Sequence, residues 1–150
     1  MTQKCSFLLI LCLSLWLLQS CVSSRAVAHM IFYNNSDKEA PIRLSITKNN
    51  KNNPNKVILH TIQPGLQELK VGSFAKGAYS VTAEAANGNL VVTKPVSLDT
   101  ERWIILNYTS ADSLSIQKKY GYVDTSVLKK VDGRFTGIDI YSENRRPPSL

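Results

Sequence analysis

The sequence predicts an all-β fold: an antiparallel β-sandwich of about seven strands behind an N-terminal signal helix. Three features point there. Several short runs alternate apolar and polar residues with a period of two. Turn signals recur about every 8–12 residues. Beyond residue 20, no segment keeps a helical period over three turns.

The N-terminal segment comes first. MTQKCS carries one charge, Lys4, and Phe7 to Leu18, FLLILCLSLWLL, carries none. A membrane-crossing helix needs about 20 residues, so this run is too short. It fits the apolar stretch of a secretory signal, roughly 7–15 residues. Leu18-Gln19-Ser20-Cys21 closes it with an aliphatic residue, a tolerant position, a small residue and cysteine. That order resembles the lipobox of bacterial lipoproteins. The resemblance implies cleavage before Cys21, diacylglycerol on its thiol and an acyl chain on the new amine. On the residues alone, an ordinary secretory signal cut near Ser20 or Ser24 is the alternative.

The cysteines favour the lipobox. Cys5 and Cys12 lie in residues 1–20, the segment to be removed, which leaves Cys21 with no partner for an internal disulfide. An odd thiol in an exported protein needs a role, and lipidation supplies one. Acyl chains anchor by burial at about 0.8 kcal/mol per CH₂, and two or more hold stably where one does not.

About 130 residues follow, enough for one domain with its own core. Residues 21–28, CVSSRAVA, are expected to be a tether and residues 29–109 the sandwich. His29 to Tyr33 is a short first strand ending in the turn-rich NNSD. Ile42, Leu44 and Ile46 alternate with Arg43, Ser45 and Thr47, the pattern of a half-buried strand. NNKNNPN, 49–55, is a polar loop. Lys56 to Ile62 is closed by Pro64-Gly65, and Gln67 to Val71 by Gly72. Tyr79, Val81 and Ala83 point inward, with Ser80, Thr82 and Glu84 outward. Asn87-Gly88 signals a hairpin into Leu90–Leu98, where Pro95 demands a bulge or an edge position. Trp103 to Tyr108, WIILNY, is apolar on both faces and predicts a central strand with Trp103 in the core.

FAKGAYSVTAEAANGNLVVTKPVSL resembles the G-x-Y-x-V-x-A strand and hairpin of transthyretin-like and carboxypeptidase regulatory-like sandwiches, a signature that immunoglobulin-like Greek-key sandwiches share. The resemblance implies that Gly77 opens a strand and that Tyr79 packs between two sheets. It carries no catalytic residues.

Residues 110–141 are expected to form a C-terminal extension. Ser110 to Ser113 is a turn and Leu114 to Gln117 an extra strand. Val131-Asp132-Gly133-Arg134 turns a hairpin between Val127–Val131 and Phe135–Tyr141. SENRRPPSL, 142–150, lacks apolar content and is expected to be a disordered tail.

The residues that carry chemistry are few. His29 and His60 have no HExxH or CxxC around them, so no metal or cofactor is expected. There is no GxSxG elbow, and Asp99 and Glu101 flank a turn where acids face water. No catalytic residue is assigned, and the chain is expected not to be an enzyme. Lys118, Lys119, Tyr120 and Tyr122 combine cations with aromatics, a contact surface for a partner or a cap on the sandwich. Asn34-Asn35-Ser36 and Asn107-Tyr108-Thr109 match the N-glycosylation pattern by accident in a bacterial protein. The formal charge of +7 falls to +6 without Lys4 and favours acidic partners or anionic membrane surfaces. Nucleic acid is not expected outside the cytoplasm.

The expected function is that of a non-enzymatic, lipid-anchored interaction or assembly module. Val22 stands where aspartate retains lipoproteins at the inner membrane, so the lipoprotein resemblance implies the outer membrane, on its periplasmic face. Small transthyretin-like lipoproteins anchor secretion machines, and the chain is similar to them in length, lipobox and strand pattern. A carbohydrate- or ligand-binding lipoprotein is the alternative, with Trp103 and Tyr120 or Tyr122 as exposed aromatics.

Overall fold

Two-residue alternation runs through nearly every segment described by the computed structural model, which covers residues 24–85, 88–121, 130–131 and 133–148. Nine strands and one helix lie among those residues. The strands are β1 (Arg25–Ser36), β2 (Ala40–Lys48), β3 (Lys56–Ile62), β4 (Gly65–Ala75), β5 (Gly77–Ala85) and β6 (Leu90–Leu98). β7 (Arg102–Ala111) follows, then helix α1 (Ser113–Tyr120), β8 (Lys130–Val131) and β9 (Arg134–Glu143).

They form a sandwich of two sheets, a five-stranded one in the order β4-β1-β7-β9-β8 and a four-stranded one in the order β3-β2-β5-β6. All pairings are antiparallel except β1 with β7, which run parallel. The core lies between the sheets. Met30, Phe32, Ile104, Leu106 and Ile140 enter it from the larger sheet, and Ile42, Leu44, Ile46, Tyr79, Val81 and Ala83 from the smaller. Fully burying a side chain of this size contributes roughly 1.5–3 kcal/mol.

Gly77 opens β5, and Tyr79 packs between the sheets with its ring edge-on to Phe74, 5.8 Å between centroids. The Tyr79 hydroxyl donates to the Ala75 carbonyl at 2.7 Å. The hairpin expected at Asn87-Gly88 joins β5 to β6, pairing Ala85 with Leu90. Gly88 adopts φ +87° there, while Ala86 and Asn87 lie outside the described residues. Pro95 is accommodated because β6 is an edge strand. WIILNY is the middle strand of the larger sheet, as its apolar run predicts.

The all-β sandwich is as expected: nine strands lie among the described residues, β8 being only two residues long, where about seven were expected. Several expectations are corrected. β1 begins at Arg25 rather than His29, because Ala26 and Ala28 continue the inward row and pair along β4. Residues 25–28 of the expected tether are therefore strand, and 21–23 lie outside the described residues. Leu114–Gln117 is helical, not a strand. Asp112 caps α1 by accepting from the Ser115 backbone N–H at 2.7 Å, and Gly121 ends it with φ +74° and an N–H bonded to the Gln117 carbonyl. The hairpin at Val131–Arg134 is present, and Gly133 takes φ +78°. Of its first strand, Lys130 and Val131 are described and 127–129 lie outside.

The tail is also corrected. Ser142 and Glu143 belong to β9, and Arg146 donates to Glu68 of β4 at 2.8 Å. β9 and β4 are three strand spacings apart, about 14 Å. Arg146, beyond the end of β9, thus meets a β4 side chain on the outer face of the larger sheet. Residues 149–150 lie outside the described set.

Candidate interaction surface on the outer face of the larger sheet

Every second residue of β1, β7, β4 and β9 faces away from the core. Pairing sets them in rows. Lys70, His29, Trp103 and Glu143 form one; Glu68, Ile31, Ile105 and Tyr141 the next; Leu66, Tyr33, Asn107 and Asp139 the third. An outer sheet face is ordinarily polar. Here Ile31 and Ile105 are buried at its middle, and Tyr33, Leu66 and Tyr141 stand 37%, 46% and 45% exposed around them.

Trp103 belongs to this face and not to the core, against expectation. Parallel pairing sets it beside His29, and the period of two then sends Ile104 inward and Trp103 outward. Its indole stacks on the His29 imidazole, with centroids 4.9 Å apart and planes within 8°. His29 Nε2 lies 2.8 Å from Glu101 Oε1, and Nδ1 lies 4.0 Å from Glu68 Oε1. Arg146, His29 and the two carboxylates thus make a polar border at one end of the patch. Two polar atoms on β7, Trp103 Nε1 and Asn107 Oδ1, are buried without a hydrogen-bond partner among the described residues.

At the other end the patch opens into a cavity of about 490 Å³. Tyr33 lines both. Thr109 and Ala111 at the end of β7, Ser115 and Ile116 of α1, and Arg134 of β9 complete its walls. Arg134 fixes this end. Its Nε donates to Ser110 Oγ at 3.1 Å and its Nη2 to the Ser110 carbonyl at 3.0 Å, and it pairs with Asp37 in the β1–β2 turn. Asn34 holds the same turn: its buried amide donates to the Lys38 carbonyl at 2.8 Å and the Ile62 carbonyl at 3.1 Å. The structure thus ties up the Asn34 amide that a glycan would need.

The residues singled out in the sequence are dispersed. Cys21 and Tyr122 lie outside the described residues. Lys118 is exposed on α1, and Lys119 and Tyr120 close that helix. His60 faces inward, its ring 5.0 Å from that of Phe32, far in the fold from His29 on the opposite sheet's outer face. Asp99 and Glu101 are exposed at the turn before β7. Among the described residues no three His, Cys, Asp or Glu side chains gather in a group that would hold a metal ion. No helix among them is long and apolar enough to cross a membrane.

Sequence reasoning missed Tyr33, Leu66 and Tyr141. They sit at every-second-residue positions in three separate strands, and only the β4–β1, β1–β7 and β7–β9 pairings together put them on one face. The signal that would have found them is a large apolar residue at the polar phase of an alternating strand. Comparison with protein-family models, with curated proteins and with solved structures finds no match to this chain.

Proposed function

We propose that the protein is a lipid-anchored lipoprotein of the bacterial envelope that works without catalysis, docking a partner protein on the outer face of its larger sheet. Anchored through Cys21 at the outer membrane's periplasmic face, it serves as an assembly point of the kind that secretion machines use. One observation carries the docking surface: Tyr33, Leu66 and Tyr141 rise, half exposed, around the buried pair Ile31 and Ile105, beside a cavity that Tyr33 also lines. Aromatic residues in the middle of a patch with a polar border are the usual anchors of protein interfaces. Here Glu68, Glu101, Arg146 and Asp139 supply the border.

The test is capture from detergent-solubilised envelopes with the wild-type chain and with the Tyr33→Ser/Tyr141→Ser pair. The wild type should retain a discrete protein complex and the double variant should lose it, with both melting at similar temperatures. Equal capture by the two would reject this face as the docking surface.

A second reading is favoured by the same face, since the exposed rings of Tyr33 and Tyr141 also suit a sugar. It predicts that immobilised glycans retain the purified protein while no protein complex forms. Retention that Tyr33→Ser/Tyr141→Ser abolishes would decide for it.

A further inference from the structure

A second cavity, of about 390 Å³, opens at the end of the sandwich where the chain enters β1. Four of the side chains lining it are cationic, Arg25, Lys48, Lys51 and Lys56, and none is a carboxylate. Asn50 and Asn55 add polar groups from the loop between β2 and β3.

The fold builds this arrangement. The β2–β3 loop is tied at both ends: the Lys48 backbone N–H donates to Asn55 Oδ1 at 2.8 Å, the Asn55 N–H to the Ile46 carbonyl at 2.7 Å, and the Lys51 N–H to the Lys48 carbonyl at 2.9 Å. Lys51 of the loop and the flanking Lys48 and Lys56 are thereby set around one mouth. Arg25 is oriented by Ser73, donating to its hydroxyl at 3.1 Å and its carbonyl at 2.9 Å. β4 carries one extra residue, Val71, opposite the Ala28–His29 step, and the Lys56 ammonium donates to its carbonyl.

Two glycines lie against the lysine side chains. A Cβ on Gly72 would sit 3.6 Å from Lys56 Nζ, and one on Gly77 would sit 3.2 Å from Lys48 Cε. Both have positive φ, +136° and +143°, where side chains are disfavoured in any case. Among the described residues, Lys48, Lys51 and Lys56 take part in no ion pair. Like charges gathered in this way repel one another, and a bound anion reverses the sign of that interaction. Guanidinium and ammonium groups around one cavity match the oxygens of a phosphate group.

We infer that this cavity is a binding site for a phosphate group, presented either by an anionic phospholipid headgroup or by a soluble phosphate ester. The site follows from the fold and stands whether or not Cys21 is acylated. If Cys21 does carry lipid, only Val22, Ser23 and Ser24 separate the anchor from Arg25, and a headgroup is the nearest source.

The test uses the full chain purified from membranes and followed by amide NMR. Inorganic phosphate, titrated against chloride at constant ionic strength, should shift the amides of Lys48, Asn50, Lys51, Asn55 and Ser73 in a saturable way. Lys48→Gln/Lys51→Gln should weaken that response about tenfold, the loss expected for charge-assisted contacts. Because Lys51 is exposed, Lys51→Glu gives a second variant that leaves the core untouched. In nanodiscs, the same shifts with phosphatidylglycerol and not with phosphatidylcholine assign the source to lipid. Shifts with dissolved phosphate alone assign it to a soluble ester. No saturable response to either, or a response unchanged in both variants, overturns the site. The mass at residue 21, read on the same sample, reports separately on the anchor.

Discussion

Arg146 Nη2 lies 2.8 Å from Glu68 Oε2, although Glu68 belongs to β4 and Arg146 follows β9, at opposite sides of a four-strand span of the larger sheet. The contact straps the C-terminal segment to β4 on the outer face, where Glu68 also neighbours His29, the ring stacked on Trp103. Arg146 is 70% exposed, so the pair itself contributes about 0–1 kcal/mol. Its consequence is positional. Trp103 is the single tryptophan beyond Cys21. Ending the chain at Glu143 should shift Trp103 emission to the red and raise its quenching by iodide, with the melting temperature little changed. Unchanged emission would mean that the strap does not shield the indole.

Tyr79 sets an alkaline limit on stability. Burial pushes its phenol above the ordinary tyrosine value, and the nearby Arg25 charge only partly opposes this. A group raised in the folded state supports folding below its unfolded pKa, about 10, and loses that support as pH rises through the higher folded value. Tyr79→Phe should remove this alkaline limb and cost about 0.5–1.5 kcal/mol at neutral pH through the lost bond to the Ala75 carbonyl. Melts from pH 7 to pH 11 check both parts.

Helix α1 has an acid limit. The Asp112 carboxylate accepts from the Ser115 backbone N–H, which holds its pKa below the ordinary aspartate range. Its support is therefore complete above the unfolded pKa and disappears as pH falls through the lower folded one. The protection factors of the Ser115 and Ile116 amides should fall below that point, and Asp112→Ala should lower them at neutral pH. Identical exchange in variant and wild type would remove the cap from the account.

Arg134 is the fastener at the cavity end. Arg134→Ala breaks two bonds to Ser110 and the pairing with Asp37, and should cost about 1.5–3 kcal/mol, the range for hydrogen bonds to a charged group. Arg134→Lys should recover little, since one ammonium cannot reproduce the fork that spans these partners. Urea unfolding of both variants measures this.

The strands were legible where a single face is buried. Ile42, Leu44 and Ile46, and Tyr79, Val81 and Ala83, carry their phase in the sequence, and Gly77 and Asn87-Gly88 mark where β5 starts and turns. Trp103 was not, because an apolar run such as WIILNY has no phase of its own. Only pairing with β1 decides that Ile104 faces inward. Leu114–Gln117 offered four residues to period counting, too few to separate strand from helix, and the capping residue Asp112 was the better signal. The basic cavity was half legible: Lys48, Lys51 and Lys56 fall within nine residues, but Arg25 joins them only because β1 begins early and pairs with β4. The strap had no sequence signature, since Arg146 finds Glu68 only in the folded sheet.

Intact-mass analysis of the protein extracted from membranes tests the anchored-module account most directly. A chain beginning at Cys21, heavier by a diacylglyceryl group and an amide-linked acyl chain, is the predicted result. A free thiol at Cys21, or a first residue anywhere else, would contradict it.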